Sequence, residues 1–335
     1  MIILGIESSC DDTSIALLRD GRDILSLQTQ SQFEVHEQYG GIVPELASRS
    51  HVMNILPLLE KALTEAQIQI QDIDAIAVTK GPGLIGSLLV GLSFAKALAF
   101  SLKKPLIGVH HIEGHLMASF LGDKIPKFPF LGFVTSGGHT HLYKVENLSD
   151  IQAIAWSIDD AAGEAFDKGA KLLGLGFPGG PLIDRLSQSG DPSFVQFPRP
   201  MPHSEHFSFS GLKTSLATWI QKHGIPKDAQ TLSNVAASYQ EAIVDSLISK
   251  LKKAITKTRI NNLVLCGGVA ANSRLRSKLD SCMNSMKVEL FLSPLKLCTD
   301  NAAMIACAGF HRLQRGEYSE LTLDATPYIP LHVES

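Results

Sequence analysis

The chain reads as an α/β protein built from two related lobes, and three observations carry that reading. Short apolar runs alternate with longer amphipathic stretches, the pattern of strands and helices that feed a parallel or mixed sheet. A block near the N-terminus returns later: Gly5-Ile6-Glu7-Ser8-Ser9, with Thr13 beyond it, shifts by 127 positions onto Gly132-Phe133-Val134-Thr135-Ser136 and Thr140. The length of 335 residues fits two domains of ~150 residues.

The elements follow in order. Ile2 to Glu7 is a strand, Ser8 to Asp12 a polar turn, Thr13 to Leu18 a second strand, and a third lies around Asp23 to Thr29. Pro44 opens a helix reaching about Ala66, with apolar residues at threes and fours. Asp74 to Thr79 is a short apolar run ending in Lys80-Gly81-Pro82-Gly83; a helix then runs to about Leu102, and another strand starts at Pro105. Ala75 to Gly81 is echoed by Leu263 to Gly267, a second sign of duplication. Lobe one is expected at 1–109 and lobe two at 110–335, with an insertion at about 160–239 that reads either as a surface excursion or as a substrate-specific cap. A cleft between the lobes, with the two hairpin turns facing across it, follows from such a duplication.

Composition excludes several classes. With 44% apolar and 19% charged residues the chain is globular, neither disordered nor fibrous. A net charge of −3 means that any nucleic acid must be met by a local basic patch. The best such patch is Lys250 to Lys278, which contains no acid. Five widely spaced cysteines form no CxxC pair, which fits a reducing compartment. The N-terminus lacks a basic n-region, so no signal peptide is expected. The apolar run Leu84 to Phe100 contains Lys96 and reads as a buried helix, so a cytoplasmic protein without a membrane span is expected.

His110-His111-Ile112-Glu113-Gly114-His115 carries the strongest chemical signal. His111 and His115 are one helical turn apart, so both imidazoles can reach one metal. Glu113 stands about 200° around the helix from His111, which excludes an HExxH peptidase. A third ligand is needed, and Asp300 is a candidate, although the same position also reads as a helix N-cap. A His-His-Asp set suits Fe(II), Mn(II) or Zn(II). Ser136-Gly137-Gly138-His139-Thr140 and Gly267-Gly268-Val269-Ala270-Ala271-Asn272 are glycine-rich turns whose amides favour phosphate, and Asp11 and Asp12 make an acidic turn. No Walker sequence or GxGxxG is present. Asp159, Asp160, Glu164 and Asp167 crowd one stretch, and Phe177-Pro178-Gly179-Gly180-Pro181 precedes Asp184.

These blocks together resemble one family. Lys96-Ala97, Leu102, Pro105, Ile107 and His111-Ile112-Glu113-Gly114-His115-Leu116 match its diagnostic pattern, and Ile6-Glu7-Ser8-Ser9-Cys10-Asp11-Asp12-Thr13, the two glycine turns and Asp300-Asn301 match in order. The chain resembles the bacterial TsaD family, the tRNA threonylcarbamoyladenosine transferases once misread as glycoproteases. The resemblance implies a duplicated actin-like, sugar-kinase-like (ASKHA) fold with a helical insertion in lobe two. It also implies transfer of threonylcarbamoyl from threonylcarbamoyl-AMP to N6 of the adenosine beside the anticodon in tRNAs that read codons beginning with adenine.

Carried over by position, His111, His115 and Asp300 hold one divalent metal, iron (Fe2+) favoured and zinc possible. Val134, Thr135, Ser136, Gly137, Gly138, Asp167, Gly180, Asp184 and Asn272 contact the substrate. Asp11 is the candidate proton acceptor, on the chemistry of the reaction rather than on a motif. The implied partners are tRNA, a catalytically silent TsaB-like paralogue and a small TsaE-like P-loop ATPase. Pairing with the paralogue is expected through the helices Pro44 to Leu63 and Ile85 to Phe100, with Leu88 and Leu92 as contacts; burial of both helices inside lobe one is the competing reading. Two other functions are weighed: a small-molecule kinase, which would not need His111 and His115, and a non-catalytic scaffold, which would lack the metal residues and the insertion.

Overall fold

The structure, a computed structural model, describes residues 1–39 and 41–331. These gather into two units, Met1–Ile125 with the stretch from Ser293 onward, and Pro126–Leu292.

In the first unit the sheet contains β1 (Ile2–Glu7), β2 (Asp12–Arg19), β3 (Asp23–Ser31), β4 (Ala75–Gly81) and β5 (Leu106–His110) in the order β3-β2-β1-β4-β5. β1 to β3 form an antiparallel meander, while β4 and β5 run parallel to β1, as crossover helices require. After the short α1 (Phe33–Glu37) come α2 (Pro44–Ala66), α3 (Ile85–Leu102) and α4 (His111–Met117). Pro44 starts α2 where no amide is needed, and left-handed Gln67 ends it by donating its amide to Leu63 and Thr64 carbonyls.

α3 is apolar enough to cross a membrane by length and hydropathy, but it buries Leu88, Leu92, Ala95 and Ala99 in the unit's core. That corrects the expectation of Leu88 and Leu92 as partner contacts, since both are inside. The large apolar side chains that α2 and α3 leave outside are Val52, Met53, Leu56, Ile85, Leu89 and Phe100.

The second unit repeats the plan. Its strands β6 (Phe130–Thr135), β7 (Thr140–Asn147), β8 (Asp150–Trp156), β9 (Asn262–Cys266) and β10 (Glu289–Leu292) are ordered β8-β7-β6-β9-β10. Even the register repeats: Gly5 faces Ala16 and Ile6 faces Ile15, and 127 positions on Gly132 faces Tyr143 and Phe133 faces Leu142. Between β8 and β9 lie α5 (Ala162–Leu172), α6 (Gly179–Ser187), α7 (Ser210–His223) and α8 (Ala229–Thr258), so the stretch 160–239 is largely helical; α9 (Ser273–Met286) joins β9 to β10.

α10 (Ala302–Gln314) returns to the first unit and packs on β1, β2, β4 and β5. Two glycines let it approach: a Cβ on Gly5 would stand 2.2 Å from the Ala302 carbonyl, and one on Gly309 would stand 2.4 Å from Ala77 Cβ. The division therefore differs from the expected 1–109 and 110–335. The stretch 110–125 and the C-terminal segment belong with the first sheet, because α4 and α10 pack on each other and α10 touches all five of its strands.

Candidate metal centre and substrate loops

The candidate metal centre lies wholly in the first unit, at the C-terminal end of β5. His110 ends that strand and caps α4: its Nδ1 accepts from the Ile112 amide at 3.1 Å, while Nε2 donates to the Ile329 carbonyl at 2.9 Å. Acceptance at Nδ1 needs the neutral ring, and burial holds its pKa down to about 4. Of three histidines in six residues, one is thus a structural cap.

His111 and His115 project from one side of α4 with ring centroids 4.7 Å apart. Asp300 Oδ1 sits 3.2 Å from His115 Nε2 and 3.6 Å from His111 Nε2. Two donors bound tetrahedrally at ~2.1 Å from one cation stand ~3.4 Å apart, so the spacing fits a shared divalent ion. The cap of α10 is Asn301, whose Oδ1 accepts from the Met304 amide at 3.0 Å. Asp300, just outside the helix, is therefore released from the capping role that its position also suggested.

The fit extends to burial. His115 is fully buried, and neither ring nitrogen makes a hydrogen bond among the described residues. Such a pair of orphaned nitrogens is costly unless something binds them. Around His111 the outer contacts are complete. Glu7 Oε2 lies 3.0 Å from His111 Nδ1 and also accepts from Thr79 Oγ1 at 2.6 Å, while Oε1 accepts from the Ser9 amide at 2.6 Å. This carboxylate orients the imidazole so that Nε2 faces Asp300. Burial alone would depress His111, but Glu7 and Asp300 raise it to about 9, so the cluster favours positive charge at this point. Sequence reasoning gave Glu7 no role; the available signal was an acid ending an otherwise apolar strand.

Asp11 and Asp12 form the turn beside β1, and both carboxyls are raised, first by burial and then by neighbouring acids, Asp12 to about 7. His51 of α2 holds this turn, donating from Nε2 to the Cys10 carbonyl at 2.9 Å and accepting from Thr13 Oγ1 at 2.7 Å.

The remaining predicted residues lie in the second unit. Val134 and Thr135 end β6 and are buried, while Gly137 and Gly138 are exposed and a Cβ on either would meet nothing within 4 Å. Gly163 and Glu164 at the start of α5 donate their amides to the Ser136 and Gly137 carbonyls at 3.2 and 3.1 Å, fixing that turn. Asp167 Oδ1 accepts from the Gly179 amide at 2.7 Å, beside Gly180. Asp184 accepts from the Ser273 amide and hydroxyl at 3.0 and 2.8 Å. Asn272 caps α9 through Leu275 and donates to Gln240 Oε1 at 2.7 Å. The structure thus ties Asp167 to Gly179, the residue before Gly180, and Asp184 to Ser273, the residue after Asn272.

The basic stretch 250–278 is less free than its sequence suggests. Arg274 and Lys278 pair with Glu241, and Lys257 pairs with Glu205, acids that lie outside the stretch.

Comparisons with known proteins agree with this architecture. A family model described as "TsaD: tRNA N6-adenosine threonylcarbamoyltransferase" matches residues 23–307. The tRNA N6-adenosine threonylcarbamoyltransferase of Syntrophus aciditrophicus (strain SB) is 52% identical, over 99% of this chain and 98% of that one. The protein of the same name from Trichlorobacter lovleyi is 50% identical, over 99% and 97%. Among solved structures, HypF of T. kodakarensis superposes with a TM-score of 0.63 at 14% identity, covering 94% of this chain and 48% of that one. Component A of the Acidaminococcus fermentans (R)-2-hydroxyglutaryl-CoA dehydratase gives 0.53 at 16% identity, covering 94% and 98%. These two share the duplicated actin-like fold alone. By the family model and by relatives matched along nearly their whole length, the chain belongs to the TsaD family of tRNA N6-adenosine threonylcarbamoyltransferases.

Proposed function

We propose that the chain moves the threonylcarbamoyl group from threonylcarbamoyl-AMP to N6 of the adenosine beside the anticodon in tRNAs that read codons beginning with adenine. One observation supports the metal-assisted form of this reading above the others: the buried imidazole of His115, with no hydrogen bond among the described residues, set with His111 against Asp300. His111, His115 and Asp300 would hold one divalent metal, with iron favoured over zinc; imidazole suits both. When bound, such a cation supplies Lewis-acid stabilisation worth several kcal/mol of developing charge.

The protein's own groups do the rest. The donor is a mixed carbamoyl-phosphoric anhydride with an activated leaving group, so no nucleophilic serine or cysteine is required. Amides of the Val134 to Gly138 turn hold the anionic end, and the open space at Gly137 and Gly138 lets a ligand approach the backbone. Asp167, Gly180, Asp184 and Asn272 frame the nucleotide portion. The exocyclic amine of adenine is a weak nucleophile, so positioning carries much of the acceleration. Asp11 accepts its proton, and the raised carboxyl suits that role.

In this reading the protein is cytoplasmic and works with a silent paralogue and a small P-loop ATPase. The exposed apolar residues Val52, Met53, Leu56, Ile85 and Leu89 on α2 and α3 offer the surface for the paralogue. The test is incubation of the chain, with and without these partners, with such a tRNA and threonylcarbamoyl-AMP, followed by mass spectrometry of the digested nucleosides. Appearance of threonylcarbamoyladenosine supports the proposal; unmodified adenosine in every combination overturns it.

A further inference from the structure

We infer that the groove between the C-terminal half of α8 and the segment 199–204 binds RNA phosphodiesters, an inference that rests on the transferase reading above. The groove is about 510 Å³ in volume, and Arg199, Asp245, Lys250, Lys252, Lys253 and Lys278 line it. Its cations fall into two groups. Arg199 and Lys278 are neutralised in place: Arg199 Nη2 lies 2.6 Å from Asp245 Oδ2, and Lys278 bonds to both Asp245 and Glu241. Lys250 and Lys253 are held differently. The Lys250 ammonium donates to the Ser204 carbonyl at 2.6 Å and to the Met201 carbonyl, and Lys253 donates to the Pro202 carbonyl.

Carbonyls satisfy hydrogen bonds but carry no charge. Lys250 is only 3% exposed, so its ammonium is desolvated, and among the described residues no carboxylate bonds to it. Lys253, three residues on, is exposed and adds like charge on the same side of the helix, and exposed Lys252 also lines the groove. Three cations are therefore concentrated within four residues of a chain whose net charge is −3. An anion entering the groove relieves that repulsion, and its oxygens can take the ammonium protons that the carbonyls leave over.

The geometry favours a backbone reader. Lysine is a mobile point charge that grips phosphate without the planar fork that reads base edges, so this surface would position an RNA without selecting its sequence. It is also close to the substrate residues of its unit. Gln240, the partner of Asn272, lies on the same helix, and ten residues separate it from Lys250, or about 15 Å along the axis.

The test uses the full chain and a double variant, Lys252→Glu with Lys253→Glu, both sites being exposed. Binding of a fluorescent tRNA that reads a codon beginning with adenine is followed by anisotropy across a salt series. The expected result is at least a ~10-fold loss of affinity near 0.1 M salt, with the slope of log affinity against log salt falling by about 1.5–2. Metal content, melting temperature and affinity for threonylcarbamoyl-AMP should not change. An unchanged tRNA affinity and slope overturns the assignment. So does a variant that loses binding to inorganic phosphate or to phosphatidylglycerol vesicles while keeping tRNA affinity, since the groove would then serve a small anion or a lipid surface. Where the wild type modifies tRNA and the variant binds it equally well, the groove alone is refuted. A wild type that neither binds tRNA nor, in any combination with its partners, modifies it refutes the transferase reading and the groove together.

Discussion

Arg312 grips Glu113 along two edges, with Nη2 2.7 Å from Oε2 and Nε 3.0 Å from Oε1. Glu113 lies on α4 between the two metal-facing histidines, and Arg312 lies near the end of α10, whose beginning is preceded by Asp300. The pair therefore ties together the two elements that supply the candidate metal ligands. It also gives the acid of the His-x-Glu-x-x… stretch a structural place, on the side of α4 away from His111.

Removing Glu113 leaves the part-buried Arg312 with Glu317 as its remaining carboxylate, so Glu113→Ala should cost about 2 kcal/mol of stability and weaken metal binding roughly tenfold. Glu113→Leu combined with Arg312→Met should recover most of the stability. Urea denaturation checks both, and a single variant within about 0.5 kcal/mol of wild type would contradict the account.

Gly163 should not tolerate a methyl group. Its Cβ would stand 2.5 Å from the Ser136 carbonyl oxygen and 2.7 Å from Gly137 Cα, both backbone atoms that cannot swing aside. Gly163→Ala should displace the Ser136–Gly138 turn, destabilise by about 1–3 kcal/mol, and weaken threonylcarbamoyl-AMP binding in calorimetry.

Acid stability should depend on Glu241. Burial alone would raise its carboxyl, but hydrogen bonds and charge from Arg274 and Lys278 hold it down to about 2, against an ordinary 4.5. The unfolded chain takes up this proton first as pH falls. The stabilisation is therefore full above about pH 4.5 and lost between 4.5 and 2. Allowing for solvent screening of the part-exposed cations, Glu241→Gln should cost roughly 1–2 kcal/mol at pH 7. Denaturation curves at pH 7, 4 and 3 should show the difference from wild type narrowing; a constant difference would exclude this linkage.

A charge on the outer face of α2 and α3 should block pairing with the paralogue. Met53 and Leu89 are exposed while Leu88 is fully buried. Met53→Glu or Leu89→Asp should abolish complex formation by mass without altering the melting temperature by more than about 2 °C. Leu88→Asp should instead unfold the first unit. Equal effects from Leu88 and Leu89 would refute the surface.

Much of this was legible in the sequence because its physics is local. β1 shows as an apolar run, α2 opens on its proline, and His111 and His115 declare themselves one helical turn apart. The 127-position repeat was readable because the register of a hairpin is fixed by its pattern of residues, and both hairpins kept it. What stayed hidden depends on distant partners. Nothing near Glu113 announces Arg312, 199 positions away, nor does Lys278 announce Glu241 and Asp245. Leu88 and Leu89 are equally apolar, and only packing decides which faces the core. The placement of Asp300 required knowing that α10 returns to the first sheet, and that Asn301 does the capping.

His111, His115 and Asp300 are proposed to share one metal. The most direct measurement is metal content per chain by plasma mass spectrometry, on the wild type and on His115→Ala purified alike. The account predicts close to one divalent ion per wild-type chain and, with folding preserved by circular dichroism, almost none in the variant. Equal metal in both proteins would contradict it.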